Sequence, residues 1–92
     1  MEVKYTKSAQ KDVKSIRSMH GILRSLSRWE QIVENQGYRA LSQYPSFDDK
    51  QLKASNIRSS RLSLHYRVYY KILENGEVEI VEVQAVNKHE DS

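Results

Sequence analysis

Residues 66–86 read YRVYYKILENGEVEIVEVQAV, and this stretch decides the fold. Two runs rich in valine, isoleucine and tyrosine flank Asn75-Gly76, the dipeptide most typical of a two-residue hairpin turn. We expect one strand over residues 66–72 and its antiparallel partner over residues 78–86. The second half of the chain is therefore predicted to be a β-sheet.

The first half of the chain is predicted to hold a short strand and two helices. Residues 3–6 alternate between apolar and polar side chains, as a strand does. Ser8 can cap a first helix, Gly21 interrupts the helical pattern, and Gly37 can end a second helix with a positive φ. The apolar faces comprise Ala9, Val13 and Ile16 in the first helix, and Ile22, Leu23, Leu26, Trp29, Ile32 and Val33 in the second.

Between the second helix and the hairpin, the sequence predicts a loop and then more sheet. Residues 38–49 contain Pro45 and form the loop, with a short helical turn around residues 39–41. Residues 52–54 can form a short strand, and residues 60–64 alternate as a strand does. The predicted order is β-α-α-β-β-β, an α+β fold in which two antiparallel helices cover one face of an antiparallel sheet. The 92 residues suit one domain, 1–92.

Charge is distributed unevenly along the chain. From Lys50 to Lys71 there are six basic residues and no acidic one, whereas residues 72–92 hold six carboxylates and one lysine. A positive stripe fixed on a sheet predicts a surface that binds phosphates, as in nucleic-acid recognition. The basic residues of the stripe are Lys50, Lys53, Arg58, Arg61, Arg67 and Lys71.

Composition argues against several other classes of protein. The chain has no cysteine, which excludes disulfides and thiolate metal sites. His20, His65 and His89 are not spaced as metal ligands, and no cofactor is predicted. No apolar run approaches the ~20 residues that span a bilayer, and residues 1–5 lack the apolar segment of a signal peptide. We expect a cytoplasmic protein that has no membrane partner.

The run from Arg61 to Ile72, followed by the Asn-Gly turn, a valine-rich strand and Lys88-His89, resembles the RelE/ParE superfamily of bacterial toxins. Residues 5–13 are similar to the first strand and helix start of that superfamily, so the resemblance covers nearly the whole chain. Within it, the likeness is strongest to the HigB and YoeB-type ribosome-dependent mRNA interferases. It implies a RelE-like microbial RNase fold, a bacterial toxin that cleaves mRNA on the ribosome, and a cognate antitoxin that neutralises it.

The resemblance also implies catalytic residues. The mRNA interferases have one arginine on the second strand, another on the third and a histidine near the carboxyl terminus, and these places are occupied by Arg61, Arg67 and His89. Cleavage through the 2′-hydroxyl needs a base, an acid and cations that stabilise a phosphorane, and it needs no metal. Histidine suits proton transfer, and arginine can donate two hydrogen bonds to non-bridging oxygens.

The predicted RNA-binding residues are Lys50, Lys53, Arg58 and His65. The three cations can hold phosphates, or they can form a solvated basic edge that protects a strand from aggregation. His65 precedes Arg67 by two residues and is expected on the same strand face, as a second candidate for proton transfer. Surface salt bridges remain an alternative for the strand arginines, and a plain chain-end position remains one for His89.

Two departures from the family pattern leave the acid and the base unassigned. Glu90 stands beside His89 where many ribosome-dependent members have a tyrosine. Lys50 and Asp48-Asp49 occupy the loop in which YoeB-type members have a catalytic glutamate. ParE-type members of the same fold inhibit DNA gyrase, so gyrase inhibition is an alternative function, and nucleic-acid binding without catalysis is another.

Overall fold

The computed structural model describes residues 1–88, and His89 with the three residues after it lies outside the described part. One sheet contains five strands in the order β1-β5-β4-β3-β2. The strands are β1 (Glu2–Tyr5), β2 (Lys50–Gln51), β3 (Ile57–Arg61), β4 (Tyr66–Asn75) and β5 (Val78–Lys88). The helices are α1 (Lys7–Ser15) and α2 (His20–Gln36), followed by two 3-10 helices, Tyr38–Gln43 and Pro45–Phe47.

The predicted α+β architecture is confirmed, with both helices contributing to a core on one face of the sheet. The strand pairs are antiparallel except β1 with β5, which is parallel. Two helices and three strands separate β1 from β5, so no hairpin constrains their relative direction. The main core side chains are Ala9, Ile16, Leu26, Trp29, Ile32, Val33, Leu41, Phe47, Val68, Tyr70, Val81, Val83 and Val86.

A β-bulge in β5 keeps valines on the core face on both sides of an irregularity. Tyr69 pairs with Ala85, but Tyr70 pairs with Val83, so β5 has one extra residue at this point. Val83 and Val86 are three residues apart and are both buried, which a regular strand would not allow. The bulge therefore adjusts the register between the two halves of the longest hairpin.

The residue that caps α1 differs from the predicted one, whereas the residue that ends α2 is as predicted. Thr6, and not Ser8, caps α1: its backbone is extended, with φ −64° and ψ 163°, and its hydroxyl accepts a hydrogen bond from the Ala9 N–H at 3.1 Å. A cap residue must precede the helical backbone, and α1 already begins at Lys7. Gly37 ends α2 with φ 86°, as predicted.

Two strands have other bounds than the sequence predicts. β3 stops at Arg61 because the N–H groups of Leu62 and Ser63 both donate to the Tyr66 carbonyl, at 2.8 and 3.2 Å, and close a turn. The short strand is Lys50–Gln51 and not residues 52–54, where Ala54 has φ 53°.

The long hairpin turns one residue later than the Asn-Gly dipeptide suggests. Asn75 pairs with Val78, so the two turn residues are Gly76 and Glu77. Gly76 has φ 67°, the left-handed conformation that such a turn needs at its first position.

Among the helices of residues 1–88, none is long and apolar enough to cross a membrane.

Candidate active site

The face of the sheet away from the helices brings two arginines together. Trp29 on α2 donates a hydrogen bond to the Ser60 hydroxyl at 3.0 Å, so Ser60 faces the helices. Strand alternation then places its neighbour Arg61 on the opposite face, directly across from Arg67 on β4. The sequence predicts this convergence. Two like charges directly opposite each other repel, so the pair needs a counter-charge.

Asp48 supplies that counter-charge. Its Oδ2 lies 3.2 Å from Arg67 Nη1, 3.4 Å from Arg61 Nη2 and 3.9 Å from Lys50 Nζ. Asp48 follows the second 3-10 helix in a left-handed conformation, with φ 43° and ψ 50°. We name these four residues, Asp48, Lys50, Arg61 and Arg67, the Asp48 cluster. Three cations surround one carboxylate, so the cluster retains a positive charge.

The two arginines of the cluster differ in access to solvent. Arg67 is 4% exposed; its Nε donates to the Ser59 hydroxyl at 2.7 Å, and its Nη2 donates to the Asp48 carbonyl at 2.8 Å. The side chain of Arg61 is 49% exposed and makes one hydrogen bond, to Asp48. Arg67 therefore holds Asp48 in place, while Arg61 and the half-exposed Lys50 can reach a ligand from solvent.

Asp49 is fixed on the other face of the sheet by a buried network. Its carboxylate accepts hydrogen bonds from Ser60 Oγ at 2.7 Å, Tyr70 OH at 2.5 Å and Arg58 Nη2 at 2.6 Å. Burial raises the pKa of the Tyr70 hydroxyl, and the hydrogen bond to Asp49 raises it further. Burial lowers the pKa of the Arg58 guanidinium, but hydrogen bonds to Asp49 and Tyr70 outweigh this, and its pKa is raised. Adjacent aspartates thus anchor one loop to both faces of the sheet.

Neither aspartate is among the site residues predicted from the sequence, which places Asp48 and Asp49 only in the loop where YoeB-type members have a catalytic glutamate. The available signal was their position, directly before a stretch of basic residues that contains no acid. Buried or clustered cations require carboxylate partners, and Asp48 and Asp49 are the nearest in the chain.

Among the predicted RNA-binding residues, only Lys50 joins the Asp48 cluster. Arg58 forms an ion pair with Asp49 and lies over the Tyr38 ring, at 5.4 Å from the ring centroid, with its side chain 25% exposed. RNA binding by Arg58 stays a prediction; in the structure its guanidinium pairs with Asp49 and is mostly buried. Lys53 is exposed in the turn before β3, and no ion pair joins it to any other residue in 1–88.

Of the histidines that the structure describes, neither His20 nor His65 belongs to the Asp48 cluster. The prediction that His65 shares a strand face with Arg67 is wrong, since β4 begins at Tyr66 and His65 is exposed in the turn before it. His89 lies outside the described residues; β5 is described as far as Lys88, which pairs with Tyr66. Across residues 1–88, no three His, Cys, Asp or Glu side chains are grouped as a metal ion would require.

Comparison with known proteins gives one family and a set of similar structures. The profile of the family described as the ParE toxin of type II toxin-antitoxin systems, parDE, matches residues 3–91. No curated protein sequence matches the chain.

The similar structures include toxins alone and in complexes. E. coli YafQ superposes with a TM-score of 0.75 at 17% identity, over 95% of this chain and 91% of that one. The toxin-antitoxin complex DinJ-YafQ from E. coli gives a TM-score of 0.75 at 18% identity, over 96% of this chain and 91% of that one. The YoeB-YefM complex from Staphylococcus aureus gives a TM-score of 0.72 at 15% identity, over 98% of each chain. At these identities, the structures show that the fold is shared.

Proposed function

This chain belongs to the ParE toxin family of type II toxin-antitoxin systems, and within that family we propose that it is an endoribonuclease that cleaves mRNA on the ribosome. The 2′-hydroxyl loses its proton and attacks the adjacent phosphorus, the P–O5′ bond breaks and the departing 5′-oxygen takes up a proton, which leaves a 2′,3′-cyclic phosphate without a metal ion or cofactor. The observation that carries the proposal is the Asp48 cluster, which gathers three cations around one carboxylate on the open face of the sheet. Its site of action is the bacterial cytoplasm.

In this proposal, Arg61 and Lys50 stabilise the phosphorane. Both side chains are half exposed, and charged donors form the strongest hydrogen bonds to phosphate oxygens. Asp48 is the carboxylate of the cluster and can accept the proton of the attacking hydroxyl. His89, implied by the family resemblance, supplies the second proton-transfer group. Arg67 acts through Asp48 as a positioning residue, because its guanidinium is buried against Asp48 and Ser59.

We further propose that a cognate antitoxin neutralises this toxin, as the DinJ-YafQ and YoeB-YefM complexes suggest by analogy. The cluster's excess positive charge and its place on an open face favour a partner segment rich in carboxylates and apolar side chains. Such a segment is attracted to the cationic face and can partly desolvate Arg61. It would compete directly with the RNA phosphate.

Primer extension on an mRNA with purified ribosomes tests the proposal. The protein should produce cuts phased with the codon in the ribosomal A site. Arg61→Ala should lower the single-turnover cleavage rate on the order of 10²–10³-fold, as loss of one preorganised donor does. Arg39→Ala is the matched control, since Arg39 is an exposed arginine that pairs with Glu79 away from the cluster.

Two results would overturn the proposal in favour of a different activity. DNA breaks that depend on gyrase, with the mRNA left intact, would make the protein a gyrase inhibitor. Binding to ribosomes or RNA with neither cuts nor breaks would make it a nucleic-acid-binding domain without catalysis.

A further inference from the structure

A second cationic feature lies beside the Asp48 cluster. A cavity of about 330 Å³ opens between α2, the second 3-10 helix and the turn that joins β3 to β4. We name it the Arg28 pocket. Its polar lining residues are Arg28, Arg61, Ser25, Ser46 and Ser63, and Leu64 is among its apolar ones. Among residues 1–88 no carboxylate lines it, so two arginines share one concave space with three serines.

Arg28 is held in place without an acidic partner. Its guanidinium carbon lies 5.6 Å from the centroid of the Tyr44 ring and 5.5 Å from that of the Phe47 ring. Within residues 1–88 Arg28 forms no ion pair and no hydrogen bond. Aromatic rings attract the cation through their faces and leave its N–H donors unused. This arginine is thus oriented and still able to bind an anion.

Arg61 belongs to both features. It lines the Arg28 pocket and donates to Asp48 in the cluster. Ser46 and Phe47, which also line the pocket, directly precede Asp48 in the chain. A ligand that binds Arg28 therefore lies next to any phosphate that binds the cluster.

We propose that the Arg28 pocket binds the nucleotide of an RNA strand that neighbours the scissile phosphate. This inference rests on the proposed function. Arg28 holds the phosphate of that nucleotide, Arg61 lies between it and the scissile phosphate, and the serine hydroxyls bond to phosphate or ribose oxygens. Leu64, which is 84% exposed, presents an apolar surface on which the base can lie. The volume is near the lower limit of small-molecule sites, about 300 Å³, and suits one nucleotide.

An acidic protein segment is the less suitable ligand for this pocket. Carboxylates can accept hydrogen bonds from the two arginines and the three serines, but they have no apolar base face to lie on Leu64. A nucleotide offers anionic oxygens, ribose hydroxyls and an apolar base face together. These groups match the cations, the hydroxyls and Leu64 of the pocket, respectively.

The direct test is an NMR titration of the isotope-labelled protein with adenosine monophosphate, with inorganic phosphate and with a glutamate-rich peptide in parallel. Adenosine monophosphate should shift the amide signals of Ser25, Ser46 and Ser63, and Arg28→Gln should weaken its binding about tenfold. Arg24→Gln, an exposed arginine on the same helix that does not line the pocket, should leave the affinity unchanged. The melting temperature of each variant shows whether it is folded.

The cleavage assay gives the second measurement. Arg28→Gln should raise KM for a ribosome-bound mRNA about tenfold and leave kcat nearly unchanged, because Arg28 binds beside the reacting atoms. Shifts with phosphate that equal those with the nucleotide would overturn the nucleotide assignment, and shifts only with the peptide would make the pocket a protein contact. Nucleotide binding in the pocket by a protein that cuts no RNA would overturn the proposed function and support the binding site.

Discussion

Arg61 and Arg67 occupy facing positions on β3 and β4, yet their surroundings differ. Half of the Arg61 side chain remains in solvent, and it is held to one carboxylate oxygen at 3.4 Å. Arg67 is almost fully buried and bonds to both the side chain and the backbone of Asp48 and of Ser59. A buried cation is stable only with such partners, so it contributes to the fold as well as to the site.

We predict that Arg67→Ala lowers the free energy of unfolding by about 1–3 kcal/mol, since it removes the buried hydrogen bond to Ser59 and leaves that group without its partner. Arg61→Ala should change it by about 1 kcal/mol or less, as expected for an exposed pair. Urea unfolding of both variants measures the difference. Equal stabilities would show that the Arg67 partners are satisfied by water, and the positioning role would then be wrong.

Tyr70 makes stability depend on pH in the alkaline range. Burial and the hydrogen bond to Asp49 raise the pKa of its hydroxyl above the ordinary value of 10. The native state therefore keeps this proton when the unfolded chain has lost it. The stabilisation is complete below pH 10 and is lost as the pH rises towards the native pKa.

We predict that the free energy of unfolding of the wild-type protein falls more steeply with pH above 10 than that of Tyr70→Phe. The extra slope approaches about 1.4 kcal/mol per pH unit for one proton. Urea unfolding between pH 8 and about 11 measures it. Tyr44→Phe is the control, because the Tyr44 hydroxyl is an exposed acceptor for Gln36. Parallel curves for wild type and Tyr70→Phe would contradict the prediction.

Residue roles were predictable from the sequence where strand alternation governs them. The period of two predicts Arg67 on the face of β4 opposite to Val68, where Arg61 on the adjacent strand can converge with it. Asp48 and Asp49 lie in a loop whose left-handed backbone follows no period, so their opposite directions could not be predicted. His65 shows the same limit, since its side of the sheet depended on where β4 begins.

Elements were predicted better than their ends. The apolar stripe of α2 and the hairpin of β4 and β5 follow from burial of one face, which leaves a periodic pattern in the sequence. The ends depend on single hydrogen bonds, such as the Ala9 N–H to Thr6 and the turn bonds to the Tyr66 carbonyl. Such bonds leave no pattern, because several neighbouring polar residues can form them.

Two glycines of α2 provide a matched test of its end. Gly37 has φ 86°, where a β-carbon is strained, whereas Gly21 lies in the first turn with a φ that other residues adopt. We predict that Gly37→Ala lowers the free energy of unfolding by about 1 kcal/mol, and that Gly21→Ala raises it by a few tenths to about 1 kcal/mol. Neither site has an atom within 4 Å of the new methyl group, so crowding does not contribute. Thermal unfolding compares the stabilities of the two variants with that of the wild type, and a Gly21→Ala variant less stable than the wild type would contradict this prediction.

For the whole molecule, the distribution of charge predicts how binding responds to salt. Lys50 and Lys53 are exposed beside the open face of the sheet, and Lys7 and Lys11 are exposed on α1. We predict that RNA or ribosome affinity falls with salt, and that Lys50→Ala with Lys53→Ala reduces the slope of log K against log salt by roughly 0.7–0.9 per lysine. The double variant Lys7→Ala with Lys11→Ala should leave this slope unchanged. Filter binding at several salt concentrations measures the slopes, and equal slopes for the two double variants would remove Lys50 and Lys53 from the interface.

The parallel pairing of β1 with β5 also has a consequence for synthesis. β1 is made first, and β5 is the last described strand to be made, yet β5 lies between β1 and β4 in the sheet. At a synthesis rate of about 5–20 residues per second, roughly 4–15 s pass between the synthesis of β1 and that of β5. Until then, the apolar faces of α1 and α2 lack the valines of β5, so the nascent chain has no complete core. The order of strands thus postpones completion of the core until β5 has left the ribosome, so the proposed antitoxin would meet a chain that becomes competent in a single step.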